Sequence, residues 1–145
     1  MAWISLTEAH VLTVLSGPEL AGYRAAATAT GQADPVQPAL DQVTDLVRGF
    51  VGKVATLGAA GTIPSKLLAP ALDLVAVRIM QRVGKNPADV RQKAADTAMS
   101  LLRSVAAGSF DIEEPTTPST ETSSVPSPAI TPRTRRFTRA DEEGL

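Results

Sequence analysis

The sequence predicts an all-α protein: a small bundle of four to five helices followed by a long extended C-terminal tail. Three observations predict this fold. The stretch from Ile63 to Val83 is apolar on nearly every side, which is the pattern of a buried helix. Apolar residues between Val36 and Leu57 recur at alternating spacings of four and three, as in a helix with one buried face. Aromatic residues make up only 3% of the chain, which favours a core of aliphatic side chains packed between helices.

The composition fits one domain with a modest core and argues against several classes of protein. The 145 residues are 43% hydrophobic and carry a net charge of −1, so the chain lacks the basic character of a nucleic-acid binder. Because there is no cysteine, a disulfide framework and thiol chemistry are excluded. The first residues show no basic segment before a long apolar run, so we expect no signal peptide. Asp73 and Arg78 interrupt the apolar stretch, so we expect no membrane span.

Capping signals predict the first two helices. Ser5 and Glu8 have the spacing of a capping box, which predicts a helix from Ser5 to Leu15 that Gly17 ends. The alanine-rich segment from Pro18 to Gly31 predicts a second helix.

The third helix begins with a clear start signal, Asp34 as an acidic N-cap followed by Pro35 at the first helical position. Its apolar seam continues to Leu57. We interpret it as a core-facing helix rather than a coiled-coil dimer, because the run covers only about three heptads. The polar residues that fall off the seam are Asp41, Gln42, Asp45, Arg48 and Lys53.

The central helix is the one around which the others are expected to pack. Pro70 lies inside the apolar run and predicts an offset or kink in the first turn or two. Asp73, its one acid, is expected to meet Arg78, Arg82 or a backbone end of a neighbouring helix rather than to do chemistry. The residues assigned to the core of this helix are Leu68, Leu72, Asp73, Val75 and Ile79.

The last helix is predicted to begin at Asn86-Pro87 and to end at Gly108. Its inner face is predicted to contain Val90, Ala94, Thr97 or Ala98, Leu101, Leu102 and Val105. Phe110 and Ile112 alternate with polar residues, which indicates either a short strand or an extended arm. The helical body is therefore expected to span residues 1–110. This range contains ten Lys and Arg residues and eight Asp and Glu residues.

Residues 111–145 form the predicted tail. Its Pro, Ser and Thr content leaves too little apolar surface to offset the entropy of ordering, so we expect it to be extended when alone. Near its end arginines surround Phe137, and both residue types are common anchors at interfaces. The predicted docking residues are Arg133, Arg135, Arg136, Phe137, Arg139 and Leu145. An inert, solvated terminus is the alternative interpretation.

The sequence contains no recognisable catalytic or ligand-binding pattern. His10 is the one histidine, and no residue spacing typical of a metal site is present. No glycine-rich loop is followed by the Lys-Ser/Thr pair of a phosphate-binding loop, and no base pairs recognisably with a serine. We therefore expect a protein that is not an enzyme and that uses no cofactor and no metal.

Four stretches, taken in order, resemble a known family. The first is Ile4 to Glu8. The second resembles a helix motif at Pro64, Leu67 or Leu68, Asp73, Leu74, Ala76 and Ile79. The third stretch resembles another helix motif of that family, at Val90, Ala94 or Ala95, Leu101 or Leu102, Val105, Gly108 and Ile112. The last resembles a terminal motif at Arg136, Phe137, Arg139, Gly144 and Leu145. Together they resemble the small head–tail adaptor, or neck, proteins of Mu-like tailed bacteriophages, which are related to portal connector proteins.

The resemblance implies a structural role without catalysis. Such proteins assemble as a ring, often of twelve copies, that extends the DNA channel below the portal and joins capsid to tail. The implied partners are further copies of the chain, the portal protein, and a tail terminator or other neck protein. DNA would pass through the channel without specific binding, and no membrane is involved. The implied location is the virion neck, after assembly in the host cytoplasm, with the tail as the arm that docks on the portal or a neighbouring subunit.

Two other functions remain open from the sequence. One is a helical protein–protein interaction module of another kind. The other is a DNA-binding helical protein whose tail arginines contact phosphates, which predicts strongly salt-dependent binding. Asp141, Glu142 and Glu143 follow those arginines, and the body has no basic face, so the sequence argues against DNA binding.

Overall fold

The computed structural model of the protein describes residues 3–116. The helices and strands are β1 (Trp3–Ser5), α1 (Glu8–Val11), α2 (Gly17–Ala29), α3 (Val36–Val51), β2 (Thr62–Pro64), a 3-10 turn (Ser65–Leu67), α4 (Leu68–Arg82) and α5 (Asp89–Ala106). The predicted helical bundle is confirmed. The one sheet in residues 3–116 is a short antiparallel pair in which Ile4 lies opposite Ile63.

Helix α4 lies at the centre, as predicted, and packs mainly against α5 and α3. Its buried residues are Ala71, Leu72, Leu74, Val75, Ala76, Val77, Ile79 and Met80. Of the five residues assigned to its core, Val75 and Ile79 are fully buried and Leu72 is 5% exposed, whereas Leu68 and Asp73 are only partly buried. The helix is shorter than the apolar run, because Thr62–Pro64 form β2. Pro70 is its third residue, where a proline displaces no intrahelical hydrogen bond.

The prediction of a helix from Ser5 to Leu15 is wrong. Ser5 belongs to β1, opposite Thr62, and only one helical turn follows it. Thr7 is the N-cap of that turn, and its backbone N–H donates to Nδ1 of His10 at 3.2 Å. The capping box lies one element later, where Ser16 Oγ accepts the backbone N–H of Glu19 and the Glu19 carboxylate accepts that of Ser16, both at 3.4 Å.

Helix α3 begins at Val36, one residue later than predicted, because Pro35 is its N-cap rather than its first helical residue; the helix also ends earlier than predicted. The Asp34 carboxylate accepts the backbone N–H of Val36 at 3.0 Å and so caps the first turn. The helix stops at Val51 instead of reaching Leu57, and Val54, predicted to lie on the apolar seam, is 44% exposed.

Helix α5 begins at Asp89, two residues after Pro87, so the predicted start at Asn86-Pro87 is wrong, and its first turn also buries a different residue. Val90, assigned to the inner face, is 79% exposed. Arg91 takes the inner position, because its guanidinium donates to Glu19 of α2 at 3.2 Å. Further along, Ala98 rather than Thr97 is buried, and Leu102 and Val105 are fully buried, as predicted.

Three helices end in the same way. Gly31, Gly84 and Gly108 follow α2, α4 and α5 with φ of 76°, 72° and 76°, a conformation that favours glycine. After α5, the N–H groups of Gly108 and Ser109 donate to the carbonyls of Val105 and Ser104 at 2.9 and 3.0 Å. This pairing is the Schellman motif, and it confirms the predicted role of Gly108.

Candidate functional site

The predicted docking residues lie outside the described part of the chain. Arg133, Arg135, Arg136, Phe137, Arg139 and Leu145 all follow residue 116. The structure does describe residues 110–116, which lead from α5 towards them and which we call the tail root. The position of the tail root fixes where the residues after Thr116 begin.

The tail root contacts the small sheet but forms no strand, so the short strand, one of the two predicted possibilities, is wrong. The indole N–H of Trp3 donates to the carbonyl of Glu113 at 3.0 Å, and Ser65 Oγ donates to the Glu113 carboxylate at 3.0 Å. Phe110 and Ile112 are partly buried against the core. The body's contacts therefore continue past the boundary that the sequence suggested at residue 110.

The contact between Trp3 and the body depends on Gly58. A Cβ atom added at Gly58 would lie 2.7 Å from the Trp3 ring and 3.1 Å from Pro115. The ring thus lies directly against the backbone of residue 58, a position that only glycine allows without rearrangement. Trp3, Gly58 and Pro115 together fix the end of the tail root.

Arg48 holds the loop that carries Gly58. The sequence placed Arg48 off the apolar seam of α3, but its side chain is not simply solvated. The guanidinium is partly buried and donates to the carbonyls of Ala59 at 2.8 Å, Thr62 at 2.7 Å and Gly58 at 3.3 Å. Hydrogen bonds from a charged donor are stronger than neutral ones, so this one side chain fixes the loop between α3 and β2.

A cleft of about 500 Å³ opens beside the tail root. We call it the root cleft, and it is lined by Val54, Ala55, Thr56, Gly108, Ser109, Phe110, Asp111, Ile112 and Glu114. Its charged lining residues are Asp111 and Glu114, both acids. The side chain of Asp111 is 99% exposed, and its nearest cation, the Lys66 ammonium, is 4.0 Å away. The cleft therefore combines apolar and acidic surface.

A second polar cluster joins the N-terminal helices. Arg24 donates to both carboxylate oxygens of Glu8, at 2.6 and 2.7 Å, and to Asp34 at 3.0 Å. These hydrogen bonds from Arg24 lower the pKa of the Glu8 carboxyl. Because each charge already has a partner of opposite sign, the cluster is suited to joining α1, α2 and the start of α3 rather than to binding a ligand.

Asp73 does not form the predicted ion pair. Within residues 3–116 it has no charged partner, and Arg78 instead donates to Gln42 at 2.9 Å. Arg78 and Arg82 follow Asp73 by five and nine residues, spacings that place them on other faces of the helix. Burial of Asp73 raises the pKa of its carboxyl.

Residues 3–116 contain neither a cluster of metal ligands nor a helix that could span a membrane. Between residues 3 and 116, no three His, Asp or Glu side chains cluster closely enough to ligate a metal. The helices in the same range all lack the combination of length and hydropathy that crossing a membrane requires.

Known proteins provide no further guidance to the site. Comparison of the chain with models of protein families, with curated proteins and with solved structures finds no match.

Proposed function

We propose that the protein is a structural adaptor in which a helical body carries a C-terminal docking arm. In the specific form that the sequence resemblance suggests, it is a head–tail connector of a tailed phage that forms a ring under the portal and joins capsid to tail. The observation that carries the proposal is the attachment of the tail root to the body.

The tail root is held by residues from distant parts of the chain. Trp3 and Ser65 both bond to Glu113, and Pro115 lies against the Trp3 and Gly58 contact. An arm that begins at one defined place on a packed body can present its terminus to a partner in a defined direction. This arrangement suits a protein that connects two larger assemblies.

The length of the chain beyond the root supports the same proposal. Phe137 follows Thr116 by 21 residues. A fully extended chain spans about 3.4 Å per residue, so the arginine-flanked phenylalanine can reach roughly 70 Å at most. That reach is sufficient for a neighbouring subunit or a portal ring. Identical subunits that repeat one heterologous contact close into a ring when the rotation allows it.

Native mass spectrometry with purified portal rings from the same genome tests the proposal. We expect the full chain to add many copies to each portal ring and a chain ending at Thr116 to add none. Ending at Thr116 keeps the contacts of Glu113 and Pro115, so the body retains the packing of its tail root. Circular dichroism confirms that the shortened chain is folded.

A matched pair of substitutions locates the anchor. We expect Phe137→Ala to weaken portal binding, because aromatic anchors dominate many interfaces, and His10→Ala to leave it unchanged. Equal portal binding by the full and shortened chains would contradict the role of the arm. If neither chain binds the portal, the connector function is wrong and another interaction partner must be sought.

A further inference from the structure

We propose that the root cleft holds the chain's own Arg-Phe segment, residues 133–139, so that the arm of the free protein folds back onto its body. This inference goes beyond the connector function, since it concerns the protein before it meets a partner. It is argued from the chemistry of the cleft and from the position of the segment in the chain.

The cleft matches the segment in charge. Its charged lining residues, Asp111 and Glu114, are acids. The ion pair of Asp111 with Lys66 is exposed and 4.0 Å long, and such pairs are weak, so the carboxylate stays accessible to another cation. The segment supplies four guanidinium groups, from Arg133, Arg135, Arg136 and Arg139, and guanidinium binds carboxylate with good geometry.

The cleft also matches the segment in its apolar surface. Val54 is 44% exposed, and Phe110 and Ile112 are partly buried beside it. An aromatic ring placed on these side chains would remove their apolar surface from water. Phe137, with arginines on both sides, is the residue of the arm that offers a ring and cations together. A volume of about 500 Å³ is ample for one aromatic side chain.

The short linker between the root cleft and the Arg-Phe segment favours binding of the chain's own segment over that of another molecule. Only 22 residues lie between Glu114 and Phe137, and the entropy cost of closing a loop rises slowly with its length. Two groups joined by a short linker meet at an effective concentration of order millimolar. A second copy at micromolar concentration cannot compete with that value, so the chain's own segment fills the cleft. A partner would then have to displace it.

Disulfide trapping in the full chain tests this proposal. The sequence has no cysteine, so each introduced pair is unique. Thr56 lines the cleft, so Thr56→Cys combined with Thr138→Cys reports docking. The matched control combines Thr97→Cys with Thr138→Cys, because Thr97 is an exposed position on α5 outside the cleft. Both proteins are oxidised at micromolar concentration, and the products are separated by mass without reductant.

We expect the Thr56 pair to form an intramolecular disulfide about tenfold faster than the Thr97 pair, because docking raises the local concentration of the thiols. Adding Phe137→Ala, or Asp111→Asn with Glu114→Gln, should reduce the rate of the Thr56 pair to that of the control. Equal rates for the two cysteine pairs would overturn the proposal. Exclusively intermolecular disulfides would also overturn it and would identify a second copy as the occupant. Since no portal is present, these outcomes are independent of the connector function.

Discussion

Helix α4 and the tail root are attached to the rest of the protein by different kinds of contact. Helix α4 has eight buried residues between Ala71 and Met80. It contacts each of the other four α-helices, α1, α2, α3 and α5. The tail root is held by two hydrogen bonds to Glu113, by Pro115 beside Trp3 and Gly58, by Lys66 at Asp111, and by the partly buried side chains of Phe110 and Ile112. Regions with few buried apolar contacts open at much lower free energy than a packed core. We therefore expect the root to open at a lower free energy than the body unfolds.

The largest effect is expected in α4. Ile79 is fully buried, so Ile79→Ala should lower the free energy of unfolding by about 3 kcal/mol through lost burial and a residual cavity. The control on the same helix is Arg82→Ala, an exposed position where changes stay within about 0.5 kcal/mol. Urea unfolding followed by circular dichroism measures both. Similar losses for the two variants would show that α4 is not the centre of the fold.

The next effect is expected where Trp3 meets the loop. In Gly58→Ala the new Cβ would clash with the Trp3 ring, and overpacking of this kind costs about 2 kcal/mol. Gly49→Ala is the matched control, because a Cβ there meets nothing within 4 Å and alanine favours the helix. It should raise the free energy of unfolding by about 0.5–1 kcal/mol. Two stabilised variants would contradict the close contact at Gly58.

A smaller and local effect is expected from Trp3→Phe. The change removes the indole N–H that bonds to Glu113 at 3.0 Å, a loss of about 1 kcal/mol. Amide hydrogen exchange should become faster in the tail root and remain unchanged in the middle of α5. Equal acceleration of exchange in the tail root and in α5 would show that root and body open as one unit, and would contradict the lower opening free energy expected for the root.

The smallest effect depends on pH. Burial raises the pKa of Asp73 above its ordinary value of 3.8, so the folded state disfavours the charged form. The cost is absent below pH 3.8 and grows as the pH rises through the folded-state pKa. Asp73→Asn should therefore be more stable than the wild type at pH 7, with the advantage vanishing in acid. Asp45→Asn, at an exposed position of α3, serves as the control, and a similar pH-dependent gain there would contradict burial as the cause.

Local signals predicted the parts of the fold that depend on neighbouring residues. The hydrogen bond to Asp34 at the start of α3, the glycine end at Gly108 and the burial of α4 follow from short patterns, and all three are present in the structure. The same kind of signal was misassigned at Ser5, because Ser5 and Ser16 both stand three residues before a glutamate. The pairing of β1 with β2 decided between them, and a contact between residues so far apart leaves no local pattern.

The candidate site was harder to predict for the same reason. Trp3 and Glu113 are 110 positions apart in the chain, so their hydrogen bond has no signature in either neighbourhood. The available signals were a single tryptophan near the start and the glycine at position 58. The first turn of α5 shows a related limit. The apolar pattern predicted that Val90 faces the core. In the structure Val90 is exposed, and Arg91 faces inward, where it forms an ion pair with Glu19 of α2.

The contact between Trp3 and Glu113 brings the two ends of the described chain to one corner of the body. A polypeptide joined before Trp3 would therefore emerge beside the residues that follow Thr116. An affinity tag or fluorescent protein fused at the N-terminus would compete for space with any partner of the arm. The exposed Gly31 turn between α2 and α3 offers a fusion point that is not at either end of the described chain.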